Sequence, residues 1–403
     1  MPGSRAQRLA ARRARRRQGA RRGAMVTAAS VVVAVGAATG MITALDDRQG
    51  TDEARPAVSE SPSTDPLPFV PPSPSPSPSP SPSPSRGALS PSPTRTATPT
   101  PSRSGQKTEQ RRAAAPGRLY RHPASQVLDW VRAHPGDPRT PVIASRIADQ
   151  PAAVWFADFQ PETVASRVRA VTSGAAAQGR VPVLVAYAIP DRDCGGASQG
   201  GAPDLGAYDG WIDAFAAGLG SGEVVVVLEP DSIAQSECLS AGDRAARFAS
   251  LARAGRVMKA ANPRARVYYD AGHSGWHPAA KQAALLRQAG AASAASSDGI
   301  FSNVSNFHRT ADEIAYDRAV LDALGGPASL GAVIDTSRNG AGAPPDGEWC
   351  DPAGRKLGRT PTLATGEARI DAYLWVKLPG ESDGCSGEPG EFTASYAYDL
   401  ASS

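Results

Sequence analysis

The sequence predicts an α/β fold in which one parallel sheet closes into a β/α barrel. Two observations carry that prediction. Seven short, apolar, β-rich runs recur along the chain, at Ala152–Phe156, Val181–Ile189, Val224–Leu228, Ala265–Tyr269, Gly299–Val304, Gly331–Ile334 and Ala372–Val376. Most are separated by Ala/Arg-rich stretches with helical periodicity, the alternation of a βαβ chain. The run Val224-Val-Val-Val-Leu228 shows no polar alternation, so it belongs to a strand covered on both faces, as parallel strands are. No glycine pattern of a dinucleotide or phosphate loop follows any of the runs.

Ahead of this region the chain changes character twice. Residues 1–22 hold nine Arg and no acid, and an uncharged stretch follows from Ala24 to Leu45. That order matches the basic and apolar parts of an export signal or of a single membrane anchor, and both readings stay open. The Arg-rich flank keeps the N-terminus inside and sends the rest of the chain out of the cell. A basic arm for nucleic acid is the rival reading, and the apolar stretch behind it argues against it. Residues 46–115 alternate Pro with Ser or Thr around Pro71 to Ser85, which gives an extended spacer that cannot bury a core. The expected organisation is therefore 1–45 export or anchor segment, 46–115 linker and 116–403 folded domain.

Residues 1–115 carry 17 of the 43 basic side chains and 7 of the 39 acidic ones, so residues 116–403 are net acidic by six although the whole chain is +4. A mildly acidic folded part disfavours a polyanionic substrate or nucleic acid as partner.

The chemistry sits directly after the strand runs. Reading only those positions gives Asp191 and Asp193, then Glu229 and Asp231, then Asp270 and His273, then Asn303 and Asn306, then Asp335 and Arg338, and finally Lys377, Glu381 and Asp383. In a parallel α/β fold the carboxyl ends of the strands carry the active site. A lone acid there is an N-cap, as Asp231 could be for the next helix. Four or five acids on one rim repel one another unless a site uses them. Carboxyl groups with pKa values pushed apart are the apparatus of glycoside hydrolysis, and Asp231 is the leading candidate for the proton donor.

Seven segments resemble glycoside hydrolase family 6, the cellulases and cellobiohydrolases that cleave β-1,4-glucan with inversion: YAIPDRDC at 187–194, VVLEPDSIA at 226–234, YYDAGHSGW at 268–276, SNVSNF at 302–307, VIDTSRNGAG at 333–342, WCDPAGRKLG at 349–358 and DAYLWVKLPGESDG at 371–384. They follow the family's order across most of residues 116–403. The resemblance implies a distorted seven-stranded, TIM-like parallel β/α barrel and an enzyme that acts on polysaccharide without cofactor or metal, as a monomer.

The same resemblance implies roles. Asp231 matches the general acid, Asp193 the neighbour that raises its pKa, Asp270 a further site carboxylate and Asp383 the proposed base. Tyr187 matches the residue that presses on the sugar at the cleaved bond, and Ser198, in the loop Gly195–Gly201, the serine that holds the attacking water. Trp155, His273, Trp276, Asn303, Trp349, Lys377 and Glu381 align with sugar contacts; read without the resemblance, each Trp is ordinary core filling.

The even count of four cysteines in an exported domain, without closely spaced pairs, reads as disulfides rather than a zinc site. The family pattern pairs Cys194 with Cys238 and Cys350 with Cys385.

Two departures stand out: His277-Pro278 follows Trp276 where many relatives place a second tryptophan nearby, and Phe307-His308-Arg309 replaces a Tyr-containing stretch. The loop after Asp383 is also short, where exo-acting relatives carry an insertion that roofs the site. An open cleft and internal cutting are the expectation. A hydrolase of another β-glucan, an exo-acting cellobiohydrolase and a catalytically silent glucan-binding protein are the alternatives.

Overall fold

Period-two alternation inside the apolar runs decides which way each strand faces. The structure, a computed structural model, describes residues 118–196 and 199–402. The expected export segment and linker lie outside the described residues, as does Ser198. Strands β1 (Arg118–Leu119) and β3 (Arg180–Val181) form a small parallel pair. The main sheet contains β2 (Val154–Phe156), β4 (Val183–Ala186), β5 (Val224–Leu228), β6 (Ala265–Asp270), β7 (Gly299–Ser302), β8 (Gly331–Asp335) and β9 (Ile370–Leu374) in that spatial order. Every neighbouring pair in it is parallel.

Val183, Val185, Tyr187, Val225, Val227, Tyr268, Phe301, Val333, Ala372 and Leu374 turn to the concave side and pack on one another. Leu184, Ala186, Val224, Val226, Leu228, Val267, Tyr269, Ile300 and Ile334 turn outward under the helices. The outer layer comprises α1 (Gln126–Ala133), α2 (Thr140–Ile143), α3 (Pro161–Ala177), α4 (Leu205–Ala217), α5 (Ala241–Ala261), α6 (Ala279–Gln288), α7 (Thr310–Leu324) and α8 (Ala394–Ser402). Ser125, Asp204 and Ser240 cap the starts of α1, α4 and α5 by accepting backbone N–H groups.

The sheet is a curled half-barrel, because no ladder joins its end strands β2 and β9. The gap is bridged by single bonds: Ala153 N–H donates to Trp375 O at 2.9 Å and the Trp155 indole to Val376 O at 2.7 Å. The expected run Val181–Ile189 is broken at Pro182, which has no N–H to donate, so Val181 pairs with β1 while Val183 onward joins the main sheet. The last strand begins two residues earlier than its apolar run.

Candidate active site

The loops leaving the carboxyl ends of β4 to β9 converge on one cleft of about 1560 Å³. Non-glycine residues in left-handed backbone conformations concentrate on this rim, at Asp191, Asp193, Cys194, Glu229, Asp231, Asn303 and Ser305. Such conformations are costly and persist where the surrounding structure holds them.

Asp231 leaves β5 at φ 69° and lines the cleft. Its turn is held from β6: Asp270 Oδ2 accepts the N–H groups of Ile233 and Ala234 at 3.1 and 2.8 Å, and Oδ1 accepts Gly272 N–H at 2.9 Å. Burial pushes the Asp231 carboxyl up to about 8, with repulsion from Asp270 next and from Asp193 last. Asp193, expected to raise this value, does so after burial and Asp270, because loss of water penalises the anion more than one charge on a neighbouring loop does. Asp270 is itself raised by burial, partly offset by those backbone donors. It is absent from the cleft lining and acts on Asp231 from behind.

Asp383, after β9, sits in the opposite environment. Its Oδ2 accepts Arg338 Nη1 at 2.7 Å and its Oδ1 lies 3.6 Å from Lys377 Nζ, with all three side chains largely buried. Lys377 also donates to Ser382 O at 3.0 Å. Glu381 lines the same wall, is raised to about 7 by burial and accepts Gln126 Nε2 at 3.3 Å.

Aromatic surfaces complete the walls. Tyr187 packs edge-on to Trp155 at 5.3 Å, with the Arg192 guanidinium 4.2 Å over its ring. Trp349 is 57% exposed where it lines the cleft, so its indole face is free to take a sugar ring. His273 stacks on His308 at 4.2 Å and lies 5.2 Å from Trp276, and burial lowers its pKa to about 3, so it is neutral.

Asn303 does not reach the cleft. It is fully buried, with Nδ2 donating to Asp335 O at 2.9 Å and Oδ1 accepting His308 N–H at 3.0 Å. Its amide is consumed in holding the loop after β7, and it is Asn306 from that loop that lines the wall. Disulfides join Cys194 to Cys238 and Cys350 to Cys385, which ties the loop of Asp193 to that of Asp231 and the loop after β8 to that of Asp383. Among the described residues no group of three or more His, Cys, Asp or Glu side chains is placed to hold a metal ion.

The model of the glycosyl hydrolases family 6 matches residues 110–401. The chain belongs to glycosyl hydrolases family 6. Over 284 residues it is 53% identical to Endoglucanase 1 of Streptomyces sp. (strain KSM-9), covering 70% of this chain and 77% of the relative. It is 50% identical to Endoglucanase A of Thermobispora bispora over 284 residues, 70% of this chain but 61% of that longer protein. The endoglucanase Cel6 from Mycobacterium tuberculosis, solved in complex with methyl-cellobiosyl-4-deoxy-4-thio-β-D-cellobioside, matches with a TM-score of 0.66 at 42% identity, covering 72% of this chain and 97% of that one.

Three residues of this family 6 domain, Glu229, Arg338 and Asp351, were given no role from the sequence. Glu229 is fully buried, accepts the N–H groups of Ala188 and Ile189 at 2.9 and 3.0 Å, and is raised to about 7 by burial. It splices the end of β5 to the strand end that leads into Asp191–Asp193. Arg338 pairs with Asp383, and Asp351 organises the loop around that acid. Both Glu229 and Arg338 stand in strand-end motifs, so position pointed to them; burial and partner did not follow from position.

Proposed function

We propose that this domain is an endo-acting β-1,4-glucanase that inverts the anomeric carbon, with Asp231 as the general acid. The observation that carries the reading is the contrast between two carboxyl groups on one cleft. Asp231, raised to about 8, holds its proton at neutral pH, whereas Asp383 is ion-paired with Arg338 and Lys377. A carboxyl that keeps its proton can hand it to the departing glycosidic oxygen.

In this mechanism a glucan chain lies along the cleft, with sugar rings on Trp349 and Trp276 and hydroxyls met by Lys377 and Glu381. Tyr187, backed by Trp155 and Arg192, presses on the ring that is cleaved. Asp231 protonates the leaving oxygen as the bond breaks, and water attacks from the opposite face with Asp383 as base. Asp193 faces Asp231 from the neighbouring loop and carries the proton balance between acid and water, with Ser198 as a water holder. The two names at 50% and 53% identity and the thio-cellobioside complex support β-1,4-glucan as the substrate. The paired cysteines support an extracellular place of work.

Endo action follows from loop length. Residues 384–393 are few, and they are tied to Gln126 and Asp351, with Pro389 and Gly390 lining the cleft. On a soluble substituted cellulose, viscosity should fall well before reducing ends accumulate. Viscosity falling only in step with reducing ends, with cellobiose as sole early product, would assign exo action; faster turnover of mixed-linkage glucan than of cellulose would reassign the substrate.

A further inference from the structure

Helix α7 presents Glu313 and Asp317 one turn apart to the carboxyl ends of β6 and β7, and both side chains are fully buried. One oxygen of each is in use. Glu313 Oε1 accepts Ser274 N–H at 2.9 Å, and Asp317 Oδ2 accepts Ser302 Oγ–H at 3.0 Å. The other oxygens, Glu313 Oε2 and Asp317 Oδ1, are buried with no partner. Two buried carboxylates with orphaned oxygens are among the costliest arrangements a core can hold. A proton placed between them turns one acid into a donor for the other and satisfies both atoms with one bond.

Among the described residues neither acid forms an ion pair. Lys281 on α6 pairs with Glu237, Arg318 with Glu367 and Arg369 with Asp322. Arg287 on α6 donates to the carbonyls of Ala323 and Leu324. The remaining ionisable groups nearby do not favour a second negative charge: Asp312 and Tyr316 on α7, Asp270 at the end of β6 and neutral His273 and His308 on the loops. Tyr316 donates to Ala271 O at 3.0 Å, so the same helical face grips the β6 end at two points.

We propose that Glu313 and Asp317 share a single proton between Glu313 Oε2 and Asp317 Oδ1, and that this pair positions the loop His273–Trp276 on the cleft wall. Burial raises both acids, in agreement with that geometry. The loop it holds has little slack, since a Cβ on Gly275 would meet His308 Cε1 at 2.6 Å. Ser274 N–H is the point where α7 reaches it. Loss of the shared proton leaves two charges in a dry pocket, loosens that grip and carries His273 and Trp276 away from the substrate. Both acids are positioning residues and touch no sugar.

The proton gives the sign of the pH effect. A folded-state pKa raised above the ordinary value of about 4 contributes stability that is complete below pH ~4 and is lost as pH rises through the raised value. Asp317→Asn supplies a permanent donor in place of the proton, and Glu313→Gln does the same from the other side. Full-chain wild type and both amide variants are to be melted from pH 5 to 10, with kcat and KM measured on soluble substituted cellulose. The amide variants should keep wild-type activity at pH 6 to within about threefold and flatten the alkaline loss of Tm by about 4 °C. Glu313→Ala, which removes the Ser274 contact, should raise KM on the order of tenfold with a smaller effect on kcat. An unchanged alkaline slope in Asp317→Asn, or amide variants as unstable as the alanine variant at every pH, would overturn the proposal. The activity arm rests on the glucanase reading, while the melting arm stands without it, so the two can fail separately.

Discussion

Asp351 and Asp383 clasp each other reciprocally: Asp383 N–H donates to Asp351 Oδ1 at 2.7 Å, and Asp351 N–H donates to Asp383 Oδ2 at 3.1 Å. Asp351 Oδ2 further accepts Ser382 Oγ–H at 2.6 Å and the N–H groups of Cys385 and Ser386 at 3.0 and 2.8 Å. The Cys350–Cys385 disulfide closes the same junction. Asp383 therefore owes its place to a residue on a different loop.

Asp351→Ala should cost more than about tenfold in kcat/KM, because Asp383 loses its backbone anchor without being altered itself. Burial works to raise the Asp351 carboxyl, but the hydrogen bonds from Ser382 and the loop amides prevail and hold it below its usual value. A lowered carboxyl contributes stability above its ordinary pKa of about 4 and loses it as pH falls through the lowered value. Wild type should thus lose stability into acid more steeply than Asp351→Ala; parallel melting curves below pH 5 would contradict this.

For Asp231→Asn the expected loss is about 10² to 10⁴ on an unactivated glucan and much less on glycosides with acidic leaving groups, which need no protonation. The wild-type rate should decline as pH rises through about 8, where Asp231 gives up its proton. Because burial is the main cause of that value, Asp193→Asn should move the alkaline limb down only slightly. The same substitution of Asp231 should raise Tm at pH 7 and leave it unchanged at pH 4, since the raised carboxyl must take up a proton to stay folded only above its ordinary pKa. Equal activity losses on both substrate types would remove Asp231 from the acid's role.

Inversion makes a stereochemical prediction. Water attacking opposite the leaving group of a β-linked glucan yields the α-anomer first. Proton NMR recorded in the opening minutes should show α-anomeric signal ahead of mutarotation, and a β-first product would require a covalent intermediate instead.

Much of this protein is local in origin. Val224–Leu228 is a strand because four valines are stiff at χ1 and apolar on both sides. The acids end the strands because the loops that start there build the cleft, and the buried ones, Glu229, Asp270 and Asp335, accept the backbone N–H groups of those loops. The seven motifs stand in family order, so fold, rim and donor candidate could all be read from residues close together in the chain. The environment of each acid could not. Arg338 and Asp383 are 45 residues apart, Gln126 and Glu381 are 255 apart, and one of the two bonds that bridge the half-barrel joins Trp155 to Val376 across 221 residues. Asn303 shows the limit: its motif placed it on the rim, but its left-handed backbone turned the amide inward to Asp335 and His308. Desolvation and hydrogen-bond partners are properties of the assembled neighbourhood, so tertiary structure alone decided which carboxyl keeps its proton, which is ion-paired and which only holds a loop.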